Sequence, residues 1–131
     1  MPSVYQLADR AVITPDFGAA GMSRADKRAV FAVTLGGNRT IGTATGAWDG
    51  QHMVLRIGQD STGGRTVTWA AGYNFGNTHS RPAPDLTGVY AGPGICAELI
   101  FGYATDPGEW WLVKGPDLIP ASTALQWPDW S

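Results

Sequence analysis

The chain has a single cysteine, Cys96, so no internal disulfide is available, and the fold must stand on packing or on partner chains. Charge is scarce: charged residues make up 15% of the 131, well below the usual quarter. With a net charge of −2 and no basic run, binding to nucleic acid through phosphate neutralisation is excluded. No apolar run approaches the roughly 20 residues that span a bilayer, so no membrane segment is expected. The opening MPSVYQLADR has neither a basic start nor a hydrophobic centre, so it is not read as a secretory signal. Synthesis in the cytoplasm is the expectation. There is also no Gly-x-Ser-x-Gly elbow, no phosphate-binding loop and no Asp-x-Asp-x-Asp-Gly calcium loop.

What is abundant is turn chemistry. Eighteen glycines and nine prolines are scattered as punctuation and form no single low-complexity tract. Between Val30 and Phe75 they separate short alternating runs. Phe31, Val33 and Leu35 share a face, as do Met53, Leu55 and Ile57, and Val67 and Trp69 return to it. Gly36-Gly37-Asn38 and Gly63-Gly64 read as hairpin turns. Strands are expected near Ala11–Thr14, Val30–Leu35, Arg39–Thr45, His52–Asp60, Arg65–Tyr73, Leu86–Ala91, Ile95–Ala104 and Trp110–Val113. Ala19–Ala29 carries four charged residues without a clean helical period and is read as a surface excursion. About eight short strands with no crossover helix predict an all-β, antiparallel two-sheet β-sandwich of jelly-roll type.

The last hairpin is apolar on both faces at Trp110-Trp111-Leu112-Val113, which predicts cover from a neighbouring subunit or from the tail. The tail, Gly115–Ser131, holds three prolines and reads as too proline-rich for the central sheet. The expected division is a sandwich domain over 1–115 and an extended arm over 116–131. That arm would lie across a surface of its own chain or another's, because Trp127 and Trp130 are costly to leave in water.

The spaced blocks Val33-Thr34-Leu35, Gly37-Asn38-Arg39-Thr40, Asp49-Gly50-Gln51, Gln59-Asp60, Gly64-Arg65-Thr66-Val67-Thr68 and Phe75-Gly76 occur in a specific order. In this the chain resembles a β-sandwich module of tail-fibre, minor tail and related virion proteins of bacteriophages, of the actinobacteriophage type. The resemblance covers roughly Ala11 to Val113. It implies a non-catalytic virion component, exposed on the particle and commonly a homotrimer, that contacts other virion proteins such as major capsid or tail proteins. It brings no catalytic residues and no cofactor. Because the chain is barely longer than the module, a capsid decoration protein is the leading expectation. The alternative is a tail-fibre or tail-tip module that binds host-surface glycan.

The residues that invite chemistry have plainer readings. Asp9, Asp16, Asp49, Asp60 and Asp106 mostly sit beside turn formers, where a carboxylate bonds its own backbone. Glu98 and Glu109 invite a glycosidase pair across the final hairpin, but a solvated pair without a lined cleft is the better reading. His52 and His79 belong to no ligand pattern, and Cys96 on an apolar strand reads as a small buried hydrophobe. No catalytic or metal residue is therefore expected. Trp48 and Trp69 are read as core support, Trp48 as a plug beside the Asp49-Gly50 turn. Trp110, Trp127 and Trp130, with Tyr90 and Tyr103, suit either a sugar-stacking platform or a protein interface. Partner contact is preferred, with Trp110, Leu112, Trp127 and Trp130 as its anchors. Tyr73, Asn74 and Asn77 at one loop end are the weaker glycan candidates.

Overall fold

In the computed structural model, residues 4–23, 25–76, 82–120 and 123–126 are described. The chain is all-β and forms two sheets. Its strands are β1 (Tyr5–Gln6), β2 (Val12–Ile13), β3 (Arg28–Leu35), β4 (Arg39–Ile41), β5 (His52–Gln59), β6 (Val67–Trp69), β7 (Tyr73–Asn74), β8 (Ile95–Ala104) and β9 (Glu109–Pro120). One sheet has the order β1-β3-β5-β8-β9-β7 and the other β2-β4-β6.

The two-sheet sandwich is only in part the antiparallel one that the turns predict: β8 pairs antiparallel with β5 and β9. β1, β3 and β5 run parallel, as do β2, β4 and β6, and β7 is parallel to β9. The Gly36-Gly37-Asn38 and Gly63-Gly64 turns are therefore arcs that carry the chain from one sheet to the other, and neither closes a hairpin. Three successive coils stack in register: Tyr5, Phe31 and Leu55 form one column, and Ile13, Ile41 and Trp69 another. A two-residue hairpin and a short arc draw on the same φ > 0 residues, so the turn chemistry is equally served by both. The discriminating signal lies in the strands. Ala29–Val33 and Met53–Ile57 are buried at every position, as expected for central strands of a parallel sheet covered on both faces. Only β8 and β9 form the expected antiparallel hairpin, about the Asp106-Pro107-Gly108 turn.

The core lies between the sheets. Phe31, Val33, Leu35, Met53, Leu55, Ile57, Leu99 and Phe101 project from the large sheet onto Ile13, Ile41 and Phe17. Each such side chain contributes about 1.5–3 kcal/mol on burial. On the opposite face of the large sheet, Val30, Val54 and Cys96 are equally buried.

Two further expectations are corrected. Leu86–Ala91 is not a strand; Gly88–Ala91 is a short 3-10 helix. β9 also continues through Pro116 to Pro120, across the expected 115/116 boundary. The prolines are tolerated because, among the described residues, β7 pairs only with Trp110 and Trp111 and no strand pairs with the far edge of the later part of β9, where no ladder N–H is required. The chain then folds back over the outer face of its own large sheet at residues 123–126. Trp127 and Trp130 lie outside the described residues. Among the described residues between Ala19 and Lys27 there is no helix, as expected, and β3 begins at Arg28.

Candidate functional site

The expected interface residues separate once their burial is seen. Trp110 is fully enclosed, with its ring 5.4 Å from Phe17 and 4.8 Å from Tyr103, and its Nε1 donates to the Ala44 carbonyl at 3.4 Å. Leu112 packs against the same core. Trp110 thus belongs to the core of its own chain, and Leu112 is partly buried there. The outward phase of the first part of β9 carries Trp111 and Val113, both exposed. Successive residues of a strand point to opposite faces, so Trp110 and Trp111 separate between core and surface. Trp111 and Val113 thus form a flat apolar stripe on the outer face of β9.

The glycan candidates fare similarly. Tyr73 and Asn74 are buried, and Asn77 lies outside the described residues. The Tyr73 hydroxyl donates to the Gly42 carbonyl at 2.8 Å and accepts the Ala44 N–H at 3.2 Å, and burial raises its pKa. It is a bolt for the loop between β4 and β5.

That loop presents an aromatic that the sequence assigns to the core. Trp48 does not plug the core: it is 44% exposed at the head of the Trp48-Asp49-Gly50-Gln51 turn. The turn itself is firmly held. Gln51 is buried, and its Nε2 donates to the carbonyls of Ser23 (2.8 Å) and Asp26 (2.6 Å), while its Oε1 accepts the Trp48 N–H at 2.7 Å. Gly50 donates its N–H to Tyr103 and Tyr103 returns one to Gln51, each at 2.9 Å. Asp49 Oδ1 accepts the Thr105 N–H at 3.0 Å. Gly50 sits at φ 85°, a conformation that favours glycine. A hollow of about 360 Å³ lies between Lys27 and this turn. The signal in the sequence was Trp-Asp-Gly-Gln itself, a tight turn with a large apolar residue at its first position.

The remaining polar candidates are structural. Asp9 accepts from Arg39 Nε at 2.7 Å across two neighbouring arcs, and this bond holds its carboxyl below the ordinary range. Asp60 is lowered first by Arg65 and then by the Gly63 N–H. Asp16 Oδ1 caps its own turn at Gly18. Glu98 and Glu109 do not face each other: Glu98 lies opposite Asp117 and bonds Arg56, and Glu109 lies opposite Ala104. Burial pushes the Cys96 thiol up to about 12. Among the described residues no group of three or more His, Cys, Asp or Glu is placed to hold a metal ion. His52 opens β5 opposite Gly102, and His79 lies outside the described residues.

Residues 13–90 match the family described as "Putative phage tail fibre C-terminal domain". The chain belongs to that family. The matched segment of this tail-fibre domain runs from the end of β2 to the 3-10 helix and so includes the Trp48 turn, whereas the β8–β9 hairpin with its apolar stripe lies beyond it. The domain is accordingly a component of a phage virion. No curated protein and no solved structure matches the chain.

Proposed function

We propose that this domain is a non-enzymatic attachment module of a phage tail fibre, exposed on the particle, that self-associates as a homotrimer and binds carbohydrate of the host surface. The observation that carries this reading is the family match over residues 13–90. It moves the preferred location from capsid decoration, the leading expectation from sequence, to the tail. The absence of a catalytic role is supported by the use of the carboxylates as turn caps and ion pairs, and by a thiol held neutral by burial. Self-association is supported by Trp111 and Val113, since exposed aromatics of this kind are enriched at contacts between proteins. Contact with other virion proteins would use the remaining exposed surface.

The test is gold labelling of intact particles with antibody raised against the purified domain. Label at the distal ends of tail fibres is the expected result. Label spread over the capsid would overturn the tail location and restore the decoration reading. Sedimentation of the purified domain reads the trimer directly, and a monomer at all concentrations would remove that part of the proposal.

A further inference from the structure

The geometry points to the hollow between Lys27 and the Trp48–Gln51 turn as the sugar-binding site, with the Trp48 indole as a stacking surface for a pyranose ring. This inference rests on the attachment reading above and gives it a location.

Three observations converge on the hollow. The first is rigidity. The buried Gln51 amide ties the turn to the Ser23 and Asp26 carbonyls, and Tyr103 and Thr105 fix it to the β8–β9 hairpin. The Lys27 carbonyl accepts the His52 N–H at 2.9 Å, which holds the second wall in place. A surface loop anchored this heavily loses little conformational freedom when a ligand binds. The second is exposure. An amphipathic ring is presented to water at 44% exposure on a turn built to hold it there, although the core lies immediately behind. The third is composition. The hollow is lined by Lys27, Trp48, Asp49, Gly50 and Gln51, one cation and one carboxylate beside one aromatic.

That combination suits a sugar better than the other ligand classes. A pyranose offers a C–H face to the indole and a rim of hydroxyls that both donate and accept. Asp49 is engaged with Thr105 through Oδ1, which leaves Oδ2 to accept from a hydroxyl, and the Lys27 ammonium donates to another. A phosphate would meet the Asp49 carboxylate. A protein partner would fit the flat stripe of β9 better than a concavity. The volume of about 360 Å³ falls at the small end of the roughly 300–1,000 Å³ typical of ligand pockets, enough for a single ring with its substituents. Glycine at position 50 leaves the floor open, since a Cβ there would meet nothing within 4 Å.

The experiment titrates the purified full chain with oligosaccharides released from the host cell envelope, read by calorimetry. In parallel the same protein competes with intact phage for adsorption to host cells. Trp48→Ala is expected to weaken binding at least about tenfold, with Trp48→Phe recovering part of it. Lys27→Ala, at an exposed position, serves as a second variant that leaves the fold intact. Thermal unfolding confirms that each variant is folded. If the wild type binds and competes while Trp48→Ala and Lys27→Ala do so equally well, the site is elsewhere and this inference is wrong, although the attachment reading stands. If the wild type itself neither binds nor competes, the attachment reading fails and the inference with it.

Discussion

Arg56 Nε lies 2.9 Å from Glu98 Oε2, between residues directly paired across β5 and β8, on the outer face of the large sheet. The same guanidinium donates through Nη1 to the carbonyls of Thr123 (3.2 Å), Ala124 (2.9 Å) and Gln126. One buried side chain therefore neutralises a partly buried carboxylate and also clasps the C-terminal segment to the sheet. Substituting Arg56→Leu leaves the carboxylate and three carbonyls without their donor. The expected cost is about 3–5 kcal/mol, as for the breaking of other buried ion pairs. Glu98→Gln keeps an acceptor for Nε and should cost less. Urea unfolding near neutral pH measures both.

Neighbouring tryptophans on β9 should behave oppositely. Trp110 fills the core, so Trp110→Ala is expected to cost about 3–5 kcal/mol of stability. Trp111 faces outward, and Trp111→Ala should change monomer stability by no more than about 0.5 kcal/mol while weakening self-association. Equilibrium unfolding at low protein concentration reports the first effect and sedimentation the second. Equal losses of stability for both variants would contradict the observed phase of the strand.

Acid should destabilise the fold through specific carboxylates. Asp9 is lowered by Arg39, Asp60 by Arg65, and Asp85 by the Thr87 hydroxyl, from an ordinary value of 3.8. A carboxyl that holds its proton less tightly when folded contributes stability that is complete above its unfolded pKa. That contribution is lost as pH falls through the lower folded value. The melting temperature should therefore decline progressively from roughly pH 5 downward. Asp9→Asn should give a shallower decline over the same range.

Cys96 should resist thiol reagents in the native state. It is 1% exposed, and burial lifts its pKa to about 12, so the reactive thiolate is scarce near neutral pH. Labelling by a disulfide reagent is expected to be slow in buffer and fast in denaturing urea. Rapid native labelling would show that the segment 123–126 opens readily from the face it covers.

Among the arcs, Gly63 carries a steric demand. It sits at φ 72°, and a Cβ there would lie 2.7 Å from the Ala91 carbonyl oxygen and 2.9 Å from Pro93 N. Backbone cannot move aside as a flexible side chain does, so Gly63→Ala should destabilise by roughly 1–3 kcal/mol. Thermal unfolding reads this loss.

Much of the all-β character was legible locally. The strands at Val30–Leu35 and His52–Asp60, the scattered glycines and the β8–β9 hairpin appear where the residues place them, although the strands are buried on both faces. The carboxylates at turns also behave as local chemistry requires, because a carboxylate and its own backbone need no distant partner. What stayed hidden depended on residues far apart in the chain. Ion pairing of Asp9 with Arg39 needs two coils in register, and the exposure of Trp48 depends on how Gln51 bonds a segment more than twenty residues earlier. Trp110 and Trp111 are chemically the same residue, and only the facing sheet distinguishes core from surface.

From its amino acids alone this chain was committed to short strands, many turns and a packed core without disulfides, since alternation and φ > 0 residues act within a few positions. Which strand lies beside which was decided by tertiary structure. An arc between sheets and a hairpin within one use the same glycines, and burial of both faces of β3 and β5 favours the parallel stack. The outward phase of β9 and the aromatic shelf at Trp48 follow from that stacking.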